Sequence, residues 1–126
     1  MYSFISCHVV FVVPCVQFLL TSAEVIIANA LFYKGVQYTY EPEIILEGKI
    51  KRPDFQIRDD DTGEMWYWEH CGMMDDPKYK MRWEDKKAFY KKNGIEEGKN
   101  LIVTYDVNGA VDSQEVDRII SDILDM

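Results

Sequence analysis

The chain has 126 residues, of which 48% are apolar and 29% are charged. This length and composition fit one globular α/β or α+β domain, and they exclude a disordered chain or two full domains. The 14 basic and 22 acidic residues give a formal net charge of −8, which as an average argues against a partner that carries phosphates.

An apolar head, residues 1–20, precedes the first charged side chain, Glu24. Its length lies between that of a signal-peptide core and that of a membrane span. It has no Lys or Arg at its start, as a secretory signal would. It fits a buried element or the remnant of a longer chain better than a membrane anchor. The three cysteines form no CxxC pair, so we expect no disulfide framework, no structural zinc site and a cytoplasmic location.

Residues 21–126 predict one domain that begins with a helix. Thr21 and Glu24 form a capping box, and apolar residues then recur at helical spacing as far as Gly35, which predicts a helix over 22–34. Alternation of apolar and polar residues predicts strands over 36–41, 53–58 and 65–70. The Asp-rich turn at 59–63 joins the last two strands into a hairpin.

The second half of the domain continues with a helix, a strand and a helix. Pro77 opens a helix that ends at Asn93-Gly94, and residues 100–105 form a short apolar strand. Asp112 then caps a last helix, whose start is fixed by a hydrophobic staple between Val111 and Val116. The predicted order is therefore helix, three strands, helix, strand, helix.

Two carboxylates lie where a charge is unfavourable. Asp54 opens an apolar strand, and Glu69 ends the aromatic run of the next strand. If the hairpin pairs Arg58 with Met65, Asp54 and Glu69 lie opposite each other and leave the same face. Such a pair needs a proton or a cation between its members, and Mg²⁺ is suited to that role. The alternative is a strand-edge charge that never meets its partner.

Lys86 lies in the middle of an aromatic stripe on the second helix, with Lys87 at the border. At 100° per residue the stripe is narrow, and its other members are Tyr79, Trp83 and Tyr90. A lysine on an inward face either extends to the edge of the core or meets a buried anion. The carboxylate pair supplies such an anion.

The ordered set of these residues resembles the PD-(D/E)xK nuclease superfamily. The likeness extends over about Thr21 to Leu124 and is closest to nuclease domains that occur alone or joined to superfamily 1 helicase-like proteins. The segments that carry it are Tyr38-Thr39-Tyr40-Glu41, Arg52-Pro53-Asp54-Phe55, Trp68-Glu69-His70-Cys71-Gly72-Met73, the Tyr79/Trp83/Lys86/Tyr90 stripe, Asn93-Gly94-Ile95 and Asn100-Leu101-Ile102-Val103-Thr104.

The resemblance implies a restriction-endonuclease-like α/β core, in which helices flank a mixed central β-sheet, and Mg²⁺-dependent hydrolysis of DNA, with Mn²⁺ as a substitute. It implies that Asp54, Glu69 and the main-chain carbonyl of His70 bind the metal. The superfamily's usual lysine position is Cys71 here, so the resemblance points to Lys86, with Lys87 as the second choice. If neither lysine serves, the domain resembles an inactive relative that binds without cutting.

Glu24 has two interpretations, and its neighbours do not decide between them. The resemblance implies an acid on the first helix that supports the metal site, whereas the local pattern implies a capping residue only. Both roles are compatible with each other. Glu24 therefore joins Asp54, Glu69 and Lys86 as a candidate catalytic residue.

The charge is distributed unevenly along the chain. Residues 78–92 carry a net charge of +5, and the rest of the chain carries −13. A local basic patch is sufficient for phosphate contacts, although it predicts weak binding that depends on a second subunit or on a helicase or recognition domain. The candidate DNA-binding residues are Lys49, Lys51, Arg52, Lys78, Lys80, Arg82 and Lys87.

Overall fold

The computed structural model describes residues 21–124, which contain a four-stranded sheet, a two-stranded hairpin and three helices. The helices are α1 (Ser22–Tyr33), α2 (Pro77–Lys92) and α3 (Ser113–Leu124). The strands are β1 (Tyr38–Tyr40), β2 (Ile44–Leu46), β3 (Lys49–Lys51), β4 (Phe55–Arg58), β5 (Met65–Cys71) and β6 (Leu101–Tyr105).

The larger sheet has the strand order β1-β4-β5-β6. Its first three strands are antiparallel, and β6 runs parallel to β5. A parallel pair needs a crossover connection, and α2 provides it. The expected α/β class with a mixed central sheet and flanking helices is confirmed.

The helix starts follow from their capping residues. Thr21 Oγ1 accepts a hydrogen bond from the Glu24 N–H at 3.2 Å, as in the predicted capping box. Asp76 accepts from two N–H groups at the start of α2, with Pro77 in the first turn. Asp112 accepts from two N–H groups at the start of α3. The predicted starts of all three helices are thereby confirmed.

The hairpin β2–β3 is absent from the sequence-based prediction, which was wrong to leave residues 42–52 without strands. It turns through Glu47 and Gly48, whose φ angles are 52° and 75°. These positive angles give the tight two-residue turn that matches the twist of a hairpin. Each strand has only three residues, which is too short for a clear alternation of apolar and polar residues.

The core lies on both faces of the larger sheet. On one face Phe55, Ile57 and Trp68 pack against α1 and α3, and the residues of this first cluster include Ile27, Leu31, Val116 and Ile120. On the other face Cys71 and Leu101 pack against Trp83 and Tyr90 of α2. Ile44 and Leu46 of the hairpin pack against this second cluster. The sheet is therefore covered on both sides.

The apolar head, residues 1–20, lies outside the described residues. Between residues 21 and 124, no helix is long and apolar enough to cross a membrane.

Candidate active site

Asp54 and Glu69 lie on adjacent strands at one end of the sheet. The predicted pairing of Arg58 with Met65 is confirmed, and the ladder continues to Phe55 opposite Trp68. The next position places Asp54 beside Glu69. There the Asp54 side chain takes the place of a main-chain partner, because its Oδ2 accepts a hydrogen bond from the His70 N–H at 2.7 Å. The two carboxylates are thus neighbours at the point where β4 begins.

Glu69 is buried and receives two side-chain donors from α2. The Lys86 Nζ lies 2.7 Å from Glu69 Oε2, and the Tyr90 hydroxyl donates to the same oxygen at 2.7 Å. Lys86 and Tyr90 are one helical turn apart, so they reach the sheet together. The stripe left two outcomes open for Lys86, the edge of the core or a buried anion, and the structure contains the contact with a buried anion. Burial and the Glu69 charge raise the pKa of Tyr90, which keeps its hydroxyl a donor.

The charges of this cluster are incompletely balanced. Burial is the main cause that raises the pKa of Asp54 from 3.8 to about 7, and the Glu69 carboxylate is the second cause. The His70 N–H and the Lys86 ammonium act in the opposite direction but do not offset them. A single lysine therefore does not neutralise two carboxylates at this depth. The site favours an additional proton or cation.

Glu24 lies in the first turn of α1, where its carboxylate contacts Thr21 and Tyr40. Its Oε1 accepts from the Thr21 hydroxyl at 3.2 Å, and its Oε2 accepts from the Tyr40 hydroxyl at 3.0 Å. Its charge contributes to the raised pKa of Asp54, so the two carboxylates are within electrostatic reach. The Thr21 half of the capping box is confirmed, whereas the Glu24 carboxylate accepts from the Thr21 hydroxyl rather than from the Thr21 main chain. A supporting role at the site stays a prediction.

His70 is held by side chains that the sequence did not single out. Its Nδ1 lies 2.8 Å from Thr104 Oγ1, and its Nε2 lies 2.7 Å from Asp106 Oδ1. The Trp68 indole donates to the same Thr104 oxygen at 3.1 Å. Parallel pairing of β5 with β6 places His70 opposite Thr104. These contacts fix the strand segment that carries Glu69.

The His70 carbonyl is directed to the same edge as Asp54. In an extended strand the N–H and C=O groups of one residue point to the same neighbour. The His70 N–H points to Asp54, and so its carbonyl does as well. The Cys71 carbonyl points the opposite way and accepts from the Asp106 N–H. The His70 carbonyl therefore lies on the side of β5 that faces Asp54, and its role as a metal ligand stays a prediction.

Cys71 lies two residues after Glu69 on β5 and supplies no positive charge there. Its side chain is buried against Trp83 and Tyr90 in the second core cluster. Burial is the main cause that raises the pKa of its thiol to about 12, and the Glu69 charge adds to it. The thiol is therefore neutral at physiological pH, and the only lysine on Glu69 is Lys86 among the described residues.

The residues that could hold a metal ion are few. Within residues 21–124, no three side chains of His, Cys, Asp or Glu come together as a metal-binding group. The candidate ligands are instead two carboxylates, Asp54 and Glu69, and the His70 carbonyl. This set suits Mg²⁺, which binds one or two protein carboxylates and keeps several water molecules.

The candidate DNA-binding residues divide into free and neutralised cations. The Nζ atoms of Lys49 and Lys51 lie 5.4 and 5.0 Å from the centroid of the Phe89 ring. Arg52 pairs with Glu43 at 2.6 Å, and Lys87 pairs with Glu97 at 2.9 Å, away from Glu69. Lys78 and Lys80 are exposed, and Arg82 lies over the Tyr79 ring. Of the two adjacent lysines, Lys86 contacts Glu69, whereas Lys87 is directed at Glu97.

An archaeal protein of much greater length is similar to part of the chain. No model of a known protein family matches the chain. An uncharacterised protein of Methanocaldococcus jannaschii is 36% identical to this chain over 76 residues. The match covers 58% of this chain but only 6% of the archaeal protein.

Proposed function

We propose that the domain is a metal-dependent DNA nuclease with a restriction-endonuclease-like core. The observation that carries the proposal is the buried Glu69, which lies beside Asp54 and is bound by the Lys86 ammonium. Two adjacent acids and one lysine at the end of a mixed sheet are the group expected from the resemblance to PD-(D/E)xK nucleases. The chemistry of these three side chains supports phosphodiester hydrolysis.

The charge balance supports a divalent cation at this site. The pKa of Asp54 is raised mainly by burial and next by the Glu69 carboxylate. Asp54 Oδ2 accepts a hydrogen bond from the His70 N–H. Glu69 Oε2 accepts a hydrogen bond from the Tyr90 hydroxyl and forms an ion pair with Lys86. The second oxygens of these carboxylates are Asp54 Oδ1 and Glu69 Oε1, which take no part in those contacts. These two oxygens and the His70 carbonyl are the groups that would hold Mg²⁺.

Mg²⁺ held there would orient the scissile phosphate and lower the pKa of an attacking water molecule. Lys86 carries three N–H donors, and one of them is directed at Glu69. Its side chain is 31% exposed, so the remaining donors reach solvent. They can position the water or stabilise negative charge on the phosphate in the transition state. Tyr90 fixes Glu69 from the buried side.

The proposal includes a partner and a location. Because the free basic residues are a minority on an acidic chain, we expect weak, salt-sensitive binding to DNA. A second subunit or a helicase or recognition domain would supply the missing affinity. The match to a short part of a much larger archaeal protein fits a module of this kind. We also propose a cytoplasmic location, since Cys71 is a free, buried thiol.

The test is cleavage of labelled DNA with Mg²⁺ or Mn²⁺ and with EDTA. We expect metal-dependent cleavage that Asp54→Asn reduces at least about a hundredfold. Asp60→Asn is the matched control, because Asp60 is exposed in the turn between β4 and β5. Cleavage that continues in EDTA, or that survives Asp54→Asn, contradicts the proposal.

A second candidate function is a nuclease-like module that binds DNA without cutting it. The neutral thiol of Cys71 at the usual lysine position favours it. The same assay separates the two functions when it is combined with a binding measurement. DNA binding without turnover under any metal, and unchanged by Asp54→Asn, supports the inactive module.

A further inference from the structure

The hairpin β2–β3 carries an apolar pair on its outer face. Ile45 and Ile50 are opposite each other across the hairpin, and they are 71% and 53% exposed. On the inner face, Ile44 and Leu46 pack against the second core cluster. The inner residues therefore account for how the hairpin is held to the domain. The outer pair is exposed on the opposite face of the hairpin.

The same hairpin holds two lysines over one aromatic ring. Lys49 and Lys51 extend from the inner face of β3, and their ammonium groups lie 5.4 and 5.0 Å from the Phe89 centroid. Neither forms an ion pair with a carboxylate of the described residues. Phe89 attracts each ammonium group, but two like charges at one ring repel each other. An anion bound between them or beside them would relieve this repulsion.

The hairpin is continuous with the candidate active site. Lys51 lies three residues before Asp54, and Phe89 lies three residues after Lys86 on α2. Of the acidic residues nearby, Glu43 pairs with Arg52 and Glu47 pairs with Lys92, although Glu47 also attracts Lys49 electrostatically. The hairpin thus carries two lysines without an ion pair on its inner face and an exposed apolar pair on its outer face.

We infer that the hairpin is a DNA-docking element, in which Lys49 and Lys51 contact phosphates and Ile45 and Ile50 contact bases of the same duplex. The inference rests on the proposed nuclease function and names how its substrate is held. Two-stranded ribbons enter DNA grooves, and apolar side chains on such elements insert between base steps. The free lysines make the surface complementary to a polyanion, whereas an apolar protein partner would leave them without anions.

The test is equilibrium binding of a short fluorescent DNA duplex in EDTA, so that affinity is measured without cleavage. Ile45→Ser/Ile50→Ser is expected to weaken binding about tenfold with an unchanged salt dependence. Lys49→Gln/Lys51→Gln is expected to reduce the slope of log K against log salt by about 2. Val107→Ser, on an exposed residue after β6, is the control for the apolar pair.

Lys99→Gln, on an exposed residue before β6, is the control for the lysines. Thermal unfolding of each variant confirms that it is folded, which is expected because all four hairpin positions lie outside the buried core. Binding equal to that of the wild type in both double variants overturns the inference. So does a concentration-dependent dimer that the isoleucine variant abolishes in sedimentation.

Different results would contradict the docking inference and the nuclease proposal. Wild-type cleavage with Mg²⁺, combined with full affinity in both hairpin variants, removes the docking role and leaves the nuclease intact. Binding that depends on the hairpin, without cleavage under any metal, supports the docking role and contradicts the nuclease.

Discussion

Asp54→Asn is expected to stabilise the protein at about pH 8 in EDTA and to have little effect at about pH 4. In the folded chain the pKa of Asp54 is raised from 3.8 to about 7, mainly by burial and next by Glu69. Between these pH values the folded chain keeps a proton that the unfolded chain has released. Stability therefore falls as the pH rises, and the full penalty is present above about pH 7. Asparagine carries no charge and avoids that penalty.

The size of the effect follows from the two pKa values. The difference between 3.8 and about 7, at roughly 1.4 kcal/mol for each pH unit, corresponds to about 4 kcal/mol at pH 8. The hydrogen bond from the His70 N–H can be kept, because the asparagine side-chain oxygen is also an acceptor. Urea unfolding of both proteins across this pH range measures the difference directly.

The matched control is Asp60→Asn, which changes an exposed residue of a turn and is expected to leave the pH dependence unchanged. Added Mg²⁺ is expected to stabilise the wild type at pH 8 and not Asp54→Asn. An Asp54→Asn protein that is no more stable than the wild type at pH 8 refutes the reasoning, because Asp54 would then not be an uncompensated buried charge.

Two other substitutions test the groups that hold the site. Tyr90→Phe removes a buried hydrogen bond to the Glu69 carboxylate, so we expect a loss of about 2 kcal/mol in urea unfolding; an unchanged unfolding free energy contradicts this contact. Asp106→Asn removes the charge beside His70 Nε2, and we expect a lower kcat with an unchanged KM if His70 positions its peptide for the site. If Asp106→Asn lowers the free energy of unfolding but leaves kcat unchanged, Asp106 has a structural role only.

The local parts of the fold could be predicted because each depends on neighbouring residues. The capping interactions of Thr21, Asp76 and Asp112 occur within four residues of each helix start. The position of Asp54 beside Glu69 also depends on a local feature, because the length of the turn at 59–63 sets the register of β4 and β5. Once Arg58 pairs with Met65, the alternation of a strand fixes which residues share a face.

The contacts that could not be predicted join distant parts of the chain. Thr104 and Asp106 lie 34 and 36 residues after His70, and they meet it only through the parallel register of β5 and β6. Nothing in the sequence near His70 specifies that register. The hairpin was missed for a different reason: its strands are three residues long, and its stability comes from packing on α2 rather than from its own pattern.

Lys86 shows what helical periodicity can and cannot establish. The stripe correctly placed this lysine on the inward face, because Trp83 and Tyr90 of the same stripe are buried. Its contact with Glu69 depends on how α2 packs against β5 in three dimensions. Lys87 is the next residue on the helix, and it pairs with Glu97 instead. The choice between the two lysines thus depends on tertiary contacts.

The most direct test of the nuclease site compares Lys86→Gln with Lys87→Gln in single-turnover cleavage at saturating DNA and Mg²⁺. The two variants remove the same charge from adjacent residues, but only Lys86 contacts Glu69. We expect Lys86→Gln to slow the chemical step about a hundredfold or more. We expect Lys87→Gln to weaken DNA binding while its rate at saturation stays close to that of the wild type. Equal rates for the two variants would contradict the assignment of Lys86 to the site.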